Sequence, residues 1–161
     1  MVSAAEEYGV PLGVLYAIGL TETGRRGSLQ PYALNVDGKP YYPETATAGA
    51  ARFMTETHRG ARHIDVGCMQ INHRYHGKEF QSLRQMFEPF HNVRYAAKFL
   101  KALRAREGNW TRAVARYHAG PTNRAAHKRY VCKVIANMVV TGFGQWTQSS
   151  RQLCSNAVRR P

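Results

Sequence analysis

This sequence is short of acid. Ten Asp and Glu stand against 23 Lys and Arg, a net charge of +13, and the only aspartates are Asp37 and Asp65. Chemistry that needs a pair of carboxylates therefore has few residues to draw on. Cysteine is scarce as well. Cys68, Cys132 and Cys154 allow at most one internal disulfide, in any of three pairings, which fits an oxidising compartment without demanding one. No apolar run reaches the roughly 20 residues of a membrane span. Val10 to Leu20 could pass for a signal-peptide core, but Glu6 and Glu7 precede it where Lys or Arg would be expected, so it reads as a folded helix. An export signal, if one is used, is expected to lie outside this chain. Internal repeats are absent.

What is present suits one domain. A chain of 161 residues, 43% hydrophobic, can bury a core without help from disulfides or metal. The positive surface attracts polyanions, whether nucleic acid, anionic lipid or a bacterial wall carrying carboxylates and phosphates. The basic residues are dispersed through the predicted helices, which favours a generally cationic surface over a dedicated nucleic-acid patch.

The pattern is mostly helical. A short helix is expected from Ser3 to Tyr8, and a second from Pro11, well placed at a first turn, to Thr23. Leu12, Leu15, Ile18 and Gly19 would be its buried face. Asp37-Gly38 predicts the turn of a small hairpin spanning Tyr32 to Tyr42. Helices follow over Thr45 to Arg59, Gly67 to Tyr75 and Ser82 to Phe87. The clearest amphipathic stretch is Asn92 to Arg106, with Val93, Ala96, Ala97, Leu100 and Leu103 on one face and Gly108 as its stop. Asn109 is the expected cap for Trp110 to Tyr117. Pro121 breaks the chain before a last helix from Asn123 to Val140. One folded domain over residues 1–141 and a polar, candidate mobile tail over 142–161 is the organisation expected.

Glu22 is the residue on which a function can be built. It lies at the end of the second helix, where Gly24 supplies the stop. A carboxylate there faces the negative pole of the helix dipole, and partial burial would desolvate it; both effects favour the protonated form. A protonated carboxyl in a cleft can donate to a leaving glycosidic oxygen. Without further support, a glutamate near a helix end is a solvated surface residue.

Two later segments supply that support. Asp65-Val66-Gly67-Cys68-Met69-Gln70-Ile71-Asn72 follows in chain order, and then Ala115-Arg116-Tyr117-His118-Ala119-Gly120. Glutamate-Thr, then Gly-x-Met-Gln, then Ala-x-Tyr-x-x-Gly resembles the lytic transglycosylase family with a lysozyme-like fold, from about Pro11 to Tyr130. The stretch Leu34 to Tyr42 also looks like a subgroup of it. The resemblance implies a mainly α, lysozyme-like domain with a small hairpin beside the active-site cleft. It implies one glutamate, Glu22, acting as acid and then base on peptidoglycan at the MurNAc-β-1,4-GlcNAc bond, with the substrate's N-acetyl group assisting and a 1,6-anhydro end as product. Tyr117 carries across as the aromatic whose hydroxyl orients Glu22. Thr23, Met69, Gln70 and Asn72 carry across as glycan contacts. His118 replaces the commoner asparagine after the tyrosine, which leaves its contact with sugar open. The implied partners are glycan strands, in the periplasm or cell envelope, with a secretion or flagellar apparatus open as the process served and no nucleic acid expected.

Other readings of these residues remain. Asp37 is explained by its turn and Asp65 by capping a helix that starts near Gly67, but either could hold water for a hydrolytic muramidase. A non-catalytic basic module binding wall polymer or nucleic acid is the reading from another class. Met69 could be core and Gln70 solvated, and Tyr117 could simply complete a helix face. Cys68 reads as a small core residue. His63, Cys68, His73 and His76 form the one cluster resembling metal ligands, but their spacing fits no familiar zinc pattern, so neither metal nor cofactor is expected. Tyr32, Tyr41, Tyr42 and Trp110 could stack on sugars or bases, or pack. Cys132 paired with Cys154 would tie the C-terminal segment to the last helix.

Overall fold

A computed structural model describes residues 1–120 and 122–155. Nine α-helices, one short 3-10 helix and four short strands are present among them, mainly α with a small antiparallel sheet, the composition of a lysozyme-like fold. The chain divides into two compact units, Met1–Thr21 with Ala97–Pro161, and Glu22–Ala96.

The first unit begins with α1 (Val2–Tyr8), closed by Gly9 in the left-handed conformation at φ 64°, a backbone region glycine enters without steric cost. The next helix, α2 (Leu12–Thr23), gives this unit all but its last two residues. Leu15 and Ile18 are fully buried as expected, and Val14 and Ala17 are buried with them, so the covered surface is wider than one stripe. The long helix α6 (Pro89–Glu107) supplies Leu100 and Leu103, and α7 (Trp110–His118) supplies Ala113 and Val114. Asn109 caps α7 by accepting from the Arg112 N–H, and Asn123 caps α8 (Arg124–Val140) through the Ala126 N–H. Pro121, expected as the break between them, lies outside the described residues.

The segment expected to be a polar tail carries structure as far as it is described. Phe143 lies against α2 so closely that a methyl group on Gly13 would come within 2.5 Å of its Cβ. Helix α9 (Gln148–Cys154) starts at a Thr147–Ser150 capping box, and a Cys132–Cys154 disulfide ties it to α8, the pairing that would anchor this segment. Residues 156–161 lie outside the described residues.

In the second unit, β1 (Leu34–Val36) and β2 (Lys39–Tyr41) form the expected hairpin, with Asp37 at φ 48° in its turn. Two further strands, β3 (Ile64–Val66) and β4 (Ile71–Asn72), extend it to a four-stranded sheet in the order β2-β1-β3-β4. This corrects the helix expected over Gly67 to Tyr75. Gly67 has φ 80° and Gln70 φ 48°, values that no right-handed helix contains, so residues 67–70 form a tight turn and only His73–His76 (α4) is helical. Helix α3 (Ala46–His58), capped by Thr45, buries Gly49, Phe53 and Glu56, while Ala48 and Ala51 face solvent. Helix α5 (Leu83–Phe87), capped by Ser82, brings the Phe87 ring so close to Gly49 that a side chain there would overlap it.

Candidate functional site

The turn between β3 and β4 is built around a residue that the sequence pattern offered only as a helix start. Asn92 is completely buried in the first turn of α6. Its Oδ1 accepts from the Met69 N–H at 2.9 Å and from the Cys68 thiol at 3.7 Å, while its Nδ2 donates to the carbonyls of Val66 (2.9 Å) and Met86 (3.0 Å). Gly67 has to be glycine on two counts. Its φ is left-handed, and a Cβ would sit 2.4 Å from Asn92 Nδ2. Gln70 turns back on the same structure, with Nε2 donating to Gly67 O at 2.9 Å and to Ala33 O at 3.4 Å. Gln70 is half-buried, and Met69 is fully buried between Asn92's contacts.

Glu22 is the penultimate residue of α2 and is half-buried. The residues on either side of it are held firmly. Within the first unit, Asn137 Nδ2 donates to Thr21 Oγ1 at 2.9 Å. Within the second, the buried Thr23 hydroxyl donates to the Cys68 carbonyl at 3.0 Å and accepts from the Gln30 N–H at 3.4 Å. The structure thus joins Glu22-Thr23 and Gly67-Cys68-Met69-Gln70 through one buried hydrogen bond, although 45 residues separate its ends. Neither the buried Asn92 nor the half-buried Asn137 carries a sequence signal for this role, because such an asparagine on a helix looks, in one sequence, like a solvated one.

Asp65 is not a helix cap; it lies in β3, opposite Asn72 in β4. Asn72 Nδ2 donates to Asp65 Oδ1 at 2.7 Å. Burial raises the Asp65 carboxyl above its ordinary value, and the Asn72 hydrogen bond and the charge of His63 only partly oppose that. Asn72 Oδ1 is buried with no hydrogen-bond partner. Asp37 keeps the turn role expected for it. Its two carboxylate oxygens accept from the Arg62 and His63 N–H groups, at 3.3 and 3.0 Å, which pins the loop before β3 to the hairpin.

In the first unit, Tyr117 is half-buried on α7, its ring 5.7 Å from that of Phe99. The next residue, His118, stacks flat on Tyr130 with centroids 4.3 Å apart. Desolvation, and then the charges of Lys133, His127 and Arg129, lower its pKa, so a neutral ring is favoured.

The four residues that resembled metal ligands separate into ordinary packing. Cys68 is buried, which pushes its thiol up to about 11. His73 meets Phe53 edge to face, His76 Nδ1 lies 2.8 Å from the Tyr95 hydroxyl, and His63 lies against Tyr75. Among the described residues no group of three or more His, Cys, Asp or Glu could hold a metal ion. Three of the aromatics considered for stacking already face cations: Tyr41 under Arg52 and Lys39, Tyr42 under Arg25, and Trp110 under Arg104. No helix among the described residues is long and apolar enough to cross a membrane.

A family model described as the transglycosylase SLT domain matches residues 1–138. Comparison with curated proteins and with solved structures gave no match.

Proposed function

The chain belongs to the transglycosylase SLT domain family, whose action is on peptidoglycan, and on that footing we propose that it is a lytic transglycosylase opening the MurNAc-β-1,4-GlcNAc bond to leave 1,6-anhydro-MurNAc ends. Glu22 is the acid and then the base. Its carboxyl protonates the glycosidic oxygen as the bond to C1 breaks, while the substrate's acetamido oxygen closes on C1. The resulting carboxylate takes the proton of the C6 hydroxyl, whose oxygen displaces the acetamido oxygen from C1. Glu22 ends protonated, as it began, and no water enters the product.

The observation that supports this most is the Thr23–Cys68 hydrogen bond, which couples Glu22 to the Gly-Cys-Met-Gln turn. Gln70 and Asn72 are the proposed polar contacts to the glycan, with Met69 the apolar floor beneath them. Thr23 holds the helix end, Tyr117 orients the Glu22 carboxyl, and His118 offers sugar the face of its ring not covered by Tyr130. The scarcity of second carboxylates also supports a single acid/base. Asp37 is engaged by two backbone N–H groups, and Asp65 by the Asn72 side chain. The setting we infer is the periplasm or cell envelope, with wall turnover, a secretion apparatus and a flagellum all open as the process served.

Mass spectrometry of fragments released from purified sacculi tests the proposal. Fragments one water lighter than hydrolysis products are expected, and their release should stop in Glu22→Gln while the protein stays folded. Reducing ends would indicate a muramidase instead. Near-normal lysis by Glu22→Gln would remove Glu22 from the chemistry.

A further inference from the structure

The loop that follows Glu22 is a closed, exposed arm carrying two uncompensated arginines. Gln30 N–H reaches back to Thr23 Oγ1 and closes residues 23–30. Inside that loop Arg25 and Ser28 exchange both backbone hydrogen bonds, at 2.9 and 3.0 Å. The two residues between them, Arg26 and Gly27, have φ 50° and 78°. A two-residue turn with both φ positive takes Asn, Asp or Gly at its first position. Gly27 obeys that rule and Arg26 does not. A residue that breaks its local preference on an exposed turn, where it relieves nothing in the core, points to a role for its side chain.

Arg25 adds a second observation. Its guanidinium carbon lies 4.3 Å from the centroid of the exposed Tyr42 ring, so the cation is held in place without being neutralised. Among the described residues neither Arg25 nor Arg26 has an acidic partner. The neighbouring pair makes the contrast. Arg52 lies 4.7 Å over Tyr41, but its Nη1 is already paired with Glu56 at 3.1 Å. A guanidinium supported by a ring keeps planar N–H donors suited to a bidentate oxyanion.

We propose that Arg25 and Arg26 bind a carboxylate of the peptide stem attached to the muramyl unit, so that the enzyme selects peptide-bearing strands over naked glycan. This rests on the transglycosylase reading, because the anion must arrive with the sugar on which Glu22 acts, three residues away. A stem carboxylate meets that condition. A phosphate ester on the muramyl C6 oxygen does not, since it would block the ring closure that forms the product.

The test compares glycan strands with and without peptide stems, both stripped of phosphate polymers. Arg25→Gln is expected to raise the KM for peptide-bearing strands relative to naked ones about ten-fold, the factor that about 1.4 kcal/mol of binding represents. Arg26→Asn should raise the same ratio while holding or raising the melting temperature, because asparagine suits the turn better. Arg52→Gln should leave the ratio where it is. An unchanged ratio in Arg25→Gln, or an equal loss on both substrates, overturns the proposal. Binding of the two strand types by Glu22→Gln, with and without Arg25→Gln, reads the same preference without turnover, so failure of the chemistry and failure of the stem contact are told apart. A preference that appears only on sacculi still carrying phosphate polymer would assign the arginines to phosphate and overturn the stem assignment.

Discussion

Asn92→Ala should be among the most damaging substitutions that spare every proposed substrate contact. The asparagine is completely buried, and its side chain bonds the Met69 N–H and the Val66 and Met86 carbonyls at 2.9 to 3.0 Å. Alanine replaces none of these, and each buried group left unmade costs about 1–3 kcal/mol. Some relaxation is expected, so a total of about 3–5 kcal/mol is reasonable, near the upper end for a single change. For a chain of this size each kcal/mol moves the midpoint by roughly 2–4 °C, so a fall of about 10 °C is expected in thermal unfolding. The geometry also predicts a coupling. Gly67→Ala alone meets Asn92 at 2.4 Å and must adopt φ 80°. In the Asn92→Ala background the overlap is gone and only the left-handed strain remains, about 1 kcal/mol. Urea unfolding of the four proteins should therefore give clear non-additivity, in the range of about 0.5–3 kcal/mol found for residues in contact. A loss below about 1 kcal/mol for Asn92→Ala, or simple additivity, would refute the account of the turn.

Three further outcomes can be checked. Asp65→Asn keeps an acceptor for Asn72 and removes a desolvated carboxylate, so at neutral pH it should hold or gain stability and still give anhydro products. In the wild type, stability should fall as pH rises from the ordinary aspartate value through the raised folded one, and unfolding of both proteins against pH measures whether that slope disappears in the mutant. His73 and His76, both through desolvation, and His118, through desolvation and its cationic neighbours, have folded pKa values below the ordinary histidine value. Their contribution is complete above that value and lost as pH falls through the lowered ones, so unfolding free energy at constant salt should decline on the acid side of about pH 6.5. Tyr117→Phe keeps its ring beside Phe99 and loses at most one hydrogen bond, roughly 0.5–1.5 kcal/mol; sacculus turnover should fall further than that, with a shifted pH profile, and full activity would reduce Tyr117 to packing.

Local rules with a stereochemical cause were legible without coordinates. Asn109 caps its helix as expected, and Thr45, Ser82 and Asn123, expected as first helical residues, mark the right places but serve as caps, because a short polar side chain satisfies an N–H that the helix cannot. Asp37-Gly38 turned the hairpin, and the apolar face of α6 is buried from Val93 to Leu103. What failed was the segment from Ile64 to Asn72. Strands of three and two residues are too short to display alternation, and the turn joining them puts a glutamine at positive φ, which no propensity anticipates. The usable signal was Ile64-Asp65-Val66 running into Gly67. Helix α9 was missed although Thr147 and Ser150 stand at capping-box spacing, because its surroundings are polar and the disulfide that holds it is a tertiary fact.

The same comparison bears on what the motif records. Thr23 spends its hydroxyl on Cys68 and Gln30, Gly67 makes room for Asn92, Met69 is covered, and Gln70 gives its amide donors to the turn. These four residues, half of those that carry the resemblance, are therefore committed to holding one piece of backbone in place. Such residues identify a scaffold more reliably than a reaction, since losing any of them disturbs the same turn whatever chemistry is done beside it. Loss of activity on changing Gly67, Met69 or Gln70 would consequently say little about mechanism. Glu22 is different. Its neighbours Thr21 and Thr23 are fixed by their own side-chain bonds, so Glu22→Gln is expected to remove the proposed proton transfer while leaving that support standing. Tyr117→Phe applies the same separation at the later motif, where the ring stays and only the hydroxyl is lost.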